Sequence, residues 1–271
     1  MLILLPPSEG KAAPRRGKPL DLDRLTNPAL NPARAQVLDA LTALCGGDHD
    51  PSTPVQNAIL VERAADVLGV GHTQLDLVRQ NAGLRTAPTA RADRVYTGVL
   101  YEALDVAGLT ATARRRAATR LGVVSSLFGL VRPGDPIPAY RLSGDVTLPG
   151  LGPVAAHWRA HLGPAVHDAL GGGLLVDLRS GTYAAFWRPP PDLASRVATV
   201  RVLHERDGRR TVVSHFNKAT KGRIVRTVLE DGANPRTPAA FADQLRDLGW
   251  KVEEDEPTRR GTQLDVVVDE V

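Results

Sequence analysis

The sequence predicts a single α/β domain, with α+β character, in which helices flank a mixed central sheet. Apolar runs of strand length alternate with apolar residues at helical spacing along all 271 residues, and the alternation is too irregular for a regular βαβ array. No repeat, low-complexity segment or obvious linker divides the chain. Apolar residues make up 42% of the sequence, which is enough for one sizeable core. We therefore expect one domain over residues 1–271.

In the amino-terminal half, one short strand precedes a series of predicted helices. The apolar segment Leu2–Leu5 has the length of a buried strand, and Pro6 and Pro7 end it. Apolar residues then recur at helical spacing, and Gly46 and Gly47 end the first of these segments. The pattern predicts helices over residues 33–44, 55–68, 73–80, 100–106 and 110–120, with a turn from residue 94.

The carboxyl-terminal half contains more strands. Prolines and glycines oppose regular structure over most of residues 128–142, and Asp207-Gly208 is typical of a hairpin turn. Asn217 is a favoured N-cap residue, which predicts a helix beginning at Lys218. Strands are predicted over 123–127, 174–178, 197–204, 211–216, 250–253 and 263–268, and helices over Val154–Leu170, from Lys218 onward, and over 238–248.

Composition excludes several classes of protein. Cys45 is the only cysteine, which rules out an internal disulfide framework and a thiolate zinc cluster. The apolar run at the amino terminus is too short for a signal peptide, and no stretch approaches the roughly 18 apolar residues of a membrane span. We therefore expect a cytoplasmic protein that does not associate with membranes.

Familiar cofactor and catalytic motifs do not fit. Around SEGK, Leu5 and Ala12 stand where a Walker A loop needs Gly and Ser or Thr. Neither a GxGxxG fingerprint nor a GxSxG nucleophile elbow occurs. His157 and His161 are four residues apart, but Trp158 stands where the metalloprotease motif needs Glu, which favours two ordinary helix histidines. We expect no cofactor and no metal.

Basic charge is concentrated in two parts of the sequence. Residues 106–134 carry five arginines and no acid, and residues 201–226 carry eight basic and two acidic residues. Residues 227–271 carry eleven acidic and five basic residues, although the whole chain has a net charge of +4. A concentrated basic surface favours phosphate-bearing partners, and surface arginine without a function is the alternative interpretation.

The segment SHFNKATKGRIVR separates its cations into two pairs. Helical winding places Lys218 and Lys221 in the same stripe as apolar residues such as Ile224, and it places Arg223 and Arg226 on the opposite side. Two cations in the first turn lie at the positive end of the helix dipole, which favours an anion opposite them. The alternative is that both lysines pair with internal carboxylates.

Five blocks, in this order, resemble the YaaA-like peroxide-stress proteins: MLILLPPSEGK, RVYTGVLYEAL, SSLFGLVRPGDPIPAYRL, LLVDLRSGTYAAFW and SHFNKATKGRIVR. The resemblance covers essentially the whole chain. It implies a bacterial cytoplasmic protein that aids survival of peroxide stress by limiting free iron. It also implies an unusual α/β topology with a basic cleft, and DNA binding with a helix-hairpin-helix-like element, for which FGLVRP is the candidate. The residues that match the family's motifs are Lys11, Tyr96, Thr97, Gly98, Arg132, Pro133, Tyr140, Arg141, Tyr183, Lys218, Lys221 and Gly222.

Charge and resemblance together lead to a DNA-binding hypothesis. Recognition should be structure-selective or non-specific, because phosphate contacts carry no sequence information. The expected phosphate-binding residues are Lys11, Arg132, Arg141, Lys218, Lys221 and Arg226. Aromatic side chains can stack on exposed bases, and the expected stacking residues are Tyr96, Tyr140 and Tyr183.

Two alternatives remain open. An enzyme acting on a nucleotide or a damaged DNA base could use the same cleft through acid–base chemistry or a Schiff base. Its candidate catalytic residues are Asp177, Tyr183 and Lys221, with Asp135 as a further acid. Direct iron sequestration is the other alternative, but the sequence offers one cysteine and dispersed histidines rather than clustered ligands.

Overall fold

The computed structural model describes residues 1–46, 54–206, 209–211 and 214–269. Its strands are β1 (Leu2–Leu5), β2 (Ala90–Arg91), β3 (Leu121–Ser125), β4 (Gly129–Val131), β5 (Pro136–Ile137), β6 (Thr147–Leu148), β7 (Gly152–Pro153), β8 (Leu175–Asp177), β9 (Val197–Arg206), β10 (Arg209–Thr211), β11 (Lys251–Glu254) and β12 (Thr262–Asp269).

The α-helices of the described residues are α1 (Asn31–Gly46), α2 (Pro54–Leu68), α3 (Leu75–Ala82), α4 (Ala92–Val95), α5 (Val99–Leu104), α6 (Ala111–Arg120), α7 (Val154–Leu170), α8 (Gly181–Ala184), α9 (Ser214–Asp231) and α10 (Pro238–Asp247). Most of the predicted helices are confirmed to within a few residues, and the bounds of α7 are those predicted.

An eight-stranded mixed sheet organises the fold. Its order is β11-β12-β9-β8-β1-β3-β4, and β10 pairs with β9. The strands from β12 to β3 along this order are parallel, whereas β4, β10 and β11 are antiparallel to their neighbours. Two small two-stranded sheets, β2-β5 and β6-β7, lie outside it. The predicted fold class, a mixed central sheet flanked by helices, is confirmed.

Helices cover both faces of the central strands. Every residue of β1, β3 and β8 is buried, as expected for parallel strands between two helical layers. One group of packed helices comprises α5, α6 and α9, a second comprises α1, α2, α3 and α7, and α10 packs on the strands β9, β11 and β12. A single continuous apolar core joins the sheet to both groups. None of the described helices is long and apolar enough to cross a bilayer.

The prediction differs from the structure most at the start of α9. The predicted strand over residues 211–216 was wrong, because β10 ends at Thr211 and α9 begins at Ser214. Asn217 therefore lies inside the helix and is not its N-cap. The apolar residues in this segment have a spacing that is typical of a strand. The close packing of α9 on α5 nevertheless stabilises a helix there. The predicted turn at Asp207-Gly208 lies outside the described residues.

Candidate functional site

Three neighbouring parallel strands end at one edge of the sheet. The chain runs from β1 to β3 on one side and returns to β8 on the other, so the strand order reverses at β1. In open α/β sheets, ligands bind at the carboxyl ends of the strands at such a switch point. The segment 6–11 follows β1 there, and β3 and β8 end there at Ser125 and Asp177. We call this edge the strand-end site.

The Lys11 ammonium lies at the centre of the strand-end site. Its Nζ is 4.1 Å from the ring centroid of Tyr140 and 5.8 Å from that of Tyr96. It donates hydrogen bonds to the backbone oxygens of Ser8 at 2.7 Å and Glu9 at 3.4 Å. An isolated backbone bridge between Lys11 and Tyr96 fixes this position. The structure therefore holds the amine against an aromatic face and its own loop.

A line of hydroxyl groups runs beneath this amine. The hydroxyls of Tyr96 and Tyr140 are 3.1 Å apart, and the Tyr140 hydroxyl is 2.7 Å from Ser125 Oγ. Ser125 Oγ also accepts hydrogen bonds from the amides of Leu127 and Phe128. Burial raises the pKa of both phenols above the ordinary range, so they stay neutral at physiological pH. The floor of the site is thus a neutral, hydrogen-bonded network.

Arg141 adds a second cation. Asn81 is fully buried and pins the Arg141 backbone: its side chain donates to the Arg141 oxygen at 2.7 Å and accepts from the Arg141 amide at 2.9 Å. One guanidinium nitrogen of Arg141 lies 3.4 Å from the carboxylate of Glu9, whose side chain is 78% exposed. Arg141 Nε is buried and has no partner among the described residues. The guanidinium is therefore incompletely satisfied.

Lys11 and Arg141 influence each other electrostatically. Desolvation, the largest cause, and the positive charge of Arg141 together lower the pKa of Lys11 from 10.5 to about 7. The carboxylate of Glu9 opposes both effects only in part. The site therefore contains two neighbouring cationic groups facing one exposed carboxylate, an arrangement that an added anion would stabilise.

Lys221 reaches the same edge from α9. Its Nζ donates to the Leu178 oxygen at 3.0 Å, directly after β8. Burial lowers the pKa of Lys221, and the carboxylate of Asp177 opposes that effect. The neighbouring Gly222 allows this approach, because a Cβ there would overlap the Leu100 oxygen of α5.

Asp177 and Asp135 are both occupied by structural contacts. Asp177 is 6% exposed, and its two carboxylate oxygens accept from Arg179 at 2.9 and 2.7 Å. Arg179 also donates to the oxygens of Tyr183 and Trp187, so this ion pair fixes the segment after β8. Asp135 is buried and accepts from the backbone and side chain of a loop threonine and from the Arg132 amide. Neither carboxylate is free to act as the acid or base that we expected.

Two expected phosphate-binding arginines lie outside the strand-end site. Arg132 donates to the oxygens of Thr119 and Leu121, at the amino end of β3 and thus at the opposite edge of the sheet. Arg226 donates to backbone oxygens in the segment that ends α5 and pairs with Asp105. Both guanidinium groups hold loops together, so the structure does not bring all six expected cations to one place.

The two lysines of α9 have different environments. Lys218 is exposed, unlike Lys221, so the expected shared buried stripe is not formed. Because α9 begins at Ser214, neither lysine lies in its first turn, and the argument from the helix dipole does not apply. Lys221 reaches the site through packing against α5, and Lys218 lies one turn earlier on the surface.

Two of the three expected stacking tyrosines are buried. Tyr96 is 2% and Tyr140 is 3% exposed, and the Lys11 amine covers the ring of Tyr140, so neither offers a face to a base. Tyr183 is half-buried, and its ring centroid is 5.2 Å from that of Phe186. Burial raises the pKa of Tyr183 to about 12, with a hydrogen bond to Ser126 opposing the shift. Tyr96 and Tyr140 thus line the base of the strand-end site and are not available for stacking on bases.

The FGLVRP segment is also part of the core. It forms β4, which makes a β-hairpin with β3, and Phe128, Leu130 and Val131 are fully buried. Gly129 has φ +68° and packs beneath Trp158, where a Cβ would collide with the indole. This segment is therefore a strand of a β-hairpin and not a hairpin between two helices.

Sequence reasoning missed several residues of the site. Ser8, Glu9, Asn81 and Ser125 were not among the candidates, although three of them lie directly after or at the end of an apolar strand. That position was the available signal, because carboxyl ends of parallel strands share one edge. Asn81 carries no such signal, since its role depends on a contact between residues 60 positions apart.

Cys45 is unsuited to thiol chemistry. It is 1% exposed, and burial raises the pKa of its thiol to about 11. Thiolates rather than thiols react with peroxide, so this side chain is inert in the folded protein. Among the residues that the structure describes, no three His, Cys, Asp or Glu side chains converge as a metal-binding set.

The fold and the site define an α/β protein in which lysine, arginine and tyrosine side chains meet at the switch point of a mixed sheet. The sequence matches the family model described as peroxide stress protein YaaA over residues 1–256, so the chain belongs to that family. It is similar to UPF0246 protein SCO2297 of Streptomyces coelicolor, with 50% identity over the whole of both chains. It is 40% identical to UPF0246 protein CE1889 of Corynebacterium efficiens over 93% of this chain and 95% of the relative.

Proposed function

We propose that this protein serves the peroxide stress response by binding DNA, with backbone phosphates at the strand-end site. The observation that carries the proposal is the cation pair of Lys11 and Arg141 facing the exposed carboxylate of Glu9. A phosphate oxygen would accept hydrogen bonds from the exposed part of the Arg141 guanidinium, and its negative charge would offset the positive charge that now destabilises protonated Lys11. The proposed setting is the bacterial cytoplasm.

Further cations extend this surface. Lys221 borders the site from α9, and one turn earlier Lys218 is exposed to solvent. Phosphate contacts of this kind give binding that depends on salt and on the shape of the backbone, not on base sequence. The proposed protective role is to cover DNA and so limit iron-dependent damage. Because Cys45 is buried and its pKa is raised, direct consumption of peroxide by a thiol is not part of the proposal.

The salt dependence of duplex binding tests the proposal. Fluorescence anisotropy with a labelled duplex would give Kd over a range of salt concentrations for the wild-type protein and Arg141→Gln. Loss of one phosphate contact should weaken binding and reduce the slope of log K against log salt by about 0.9. Arg236→Gln is the matched control, because Arg236 is an exposed arginine that donates to the Gly172 oxygen before β8, at the opposite edge. An unchanged slope in Arg141→Gln would contradict the proposal.

A further inference from the structure

We propose that the Lys11 amine is a nucleophile that forms an imine with the aldehyde of an abasic deoxyribose in DNA. This inference rests on the proposed DNA binding and adds a covalent step at the same site. It concerns the ring-opened aldehyde form of a deoxyribose that has lost its base and is linked to phosphate on its 3′ side. Such a substrate carries an electrophilic carbon next to the anion that the cation pair would hold.

The contacts of Lys11 favour a reactive amine. The two hydrogen-bond acceptors of Nζ are backbone oxygens of its own loop, and its other contacts are the rings of Tyr96 and Tyr140. The Glu9 carboxylate contacts Arg141 instead. A desolvated lysine beside another cationic group is the arrangement that releases a proton near neutral pH and leaves a nucleophilic amine.

Lys221 is less suited to the same role. It was an expected catalytic residue, but the charged group that shifts its pKa is the carboxylate of Asp177, which favours the protonated form, whereas Arg141 favours the neutral form of Lys11. Its position on α9, beside the segment that follows β8, instead suits a phosphate contact. The nucleophile is therefore assigned to the segment that follows β1, and the supporting cation to α9.

The reaction balances without an oxidant or reductant. The neutral amine of Lys11 adds to the aldehyde carbon, and the resulting carbinolamine takes up a proton from solvent and loses water to give a protonated imine. A base then removes a proton from C2′, and the electron pair forms the C2′–C3′ double bond as the C3′–O bond to the phosphate breaks. The exposed Glu9 carboxylate, whose charge acts on Lys11, is the base that we assign to this proton. Water finally hydrolyses the imine and releases the unsaturated aldehyde and Lys11.

Borohydride trapping tests this inference directly. The full-length protein is incubated with a duplex that contains one abasic site, sodium borohydride is added, and the covalent adduct is quantified on a denaturing gel. Lys11→Arg keeps the charge but cannot form the imine, so we expect at least a tenfold loss of adduct relative to the wild type. Lys251→Arg is the matched control, because Lys251 is an exposed lysine of β11 outside the site. Peptide mapping of the wild-type adduct should place it on Lys11.

The pH dependence of trapping provides a second readout. The ionisable groups that face Lys11 are Glu9, Arg141, Tyr96 and Tyr140, and the two phenols stay neutral because burial raises their pKa values. Bound phosphate would raise the Lys11 pKa above its value in the free protein, but the trapping rate should still reach its plateau by about pH 9, whereas the rate for an ordinary lysine is still rising at pH 10. Absence of an adduct in the wild type, or an equal adduct in Lys11→Arg, would overturn the inference.

Two further arms separate this inference from the proposed function. A duplex that carries a tetrahydrofuran analogue of the abasic site can be bound but cannot form an imine, because it lacks the aldehyde. If the protein binds this duplex but gives no adduct with the true abasic site, the imine hypothesis is contradicted and the DNA-binding proposal still stands. Failure to bind either duplex would contradict the proposed function itself. Trapping of free 2-deoxyribose 5-phosphate at least as efficient as that of abasic DNA would contradict the assignment of DNA as the substrate.

Discussion

Replacement of Lys11 by Met should remove a pH dependence of stability. In the folded protein the pKa of Lys11 is lowered from 10.5 to about 7. Between these values the unfolded chain binds a proton that the folded chain does not, so the free energy of unfolding rises with pH across this window. Below about pH 7 both states are protonated, and the folded protein carries the full cost of burying the charge. This contribution of Lys11 therefore favours the folded state at high pH, not at low pH.

The magnitude follows from linkage. A single group of this kind gives a limiting slope of about 1.4 kcal/mol per pH unit. Because Lys11 keeps some contact with solvent, we expect an increase of about 1–2 kcal/mol between pH 7 and pH 9. Burial and nearby arginines also lower the pKa of the Met1 amine, and burial lowers that of Lys221, so the wild-type curve contains their contributions. The difference between wild type and Lys11→Met cancels them.

Urea unfolding followed by circular dichroism at several pH values measures this difference. The linear extrapolation gives the free energy of unfolding at each pH for the wild type, Lys11→Met and the exposed control Lys251→Met. The free energy of unfolding should increase with pH to the same extent in the wild type and in the control, and it should increase less steeply in Lys11→Met. Parallel curves for wild type and Lys11→Met would refute the claim that the pKa of Lys11 is depressed in the folded state.

Three further predictions concern the surroundings of the site. Gly222→Ala should lower the free energy of unfolding by about 1–3 kcal/mol in urea melts, because the new Cβ would collide with the Leu100 oxygen; wild-type stability would contradict this packing. Arg179→Met should cost about 3–5 kcal/mol, because it leaves the buried Asp177 carboxylate unpaired, and a melt within error of the wild type would disprove that role. The Cys45 thiol should react with a thiol reagent only after denaturant is added, and prompt reaction in native buffer would show that it is not buried.

The fold could be predicted well wherever local pattern and tertiary packing agree. Segment Leu2–Leu5 is apolar throughout and forms the central strand, and Val154–Leu170 has the apolar spacing of a helix that packs Trp158 and Leu162 inward. Asn217 has a local preference for the N-cap position, but it lies inside α9. Contacts between α9 and α5, which lie far apart in the sequence, override that preference.

The site could be predicted only in part. Lys11, Tyr96, Tyr140 and Arg141 do come together, Lys221 reaches the same edge of the sheet, and the motif resemblance singled out all five. Whether a cation binds an external anion or an internal carbonyl depends on the fold around it, which residue type alone does not encode. For this reason Arg132 and Arg226, equally basic in the sequence, turned out to hold loops together.

The most direct test of the central claim is the pKa of the Lys11 amine, measured by heteronuclear NMR with and without duplex DNA. In the free protein it should titrate near 7. A phosphate bound beside Arg141 would offset the positive charge that now disfavours protonation, so saturation with DNA should raise this pKa. The same titration of the exposed Lys251 should change little. A Lys11 pKa that is unaffected by saturating DNA would contradict the assignment of the strand-end site as the phosphate-binding site.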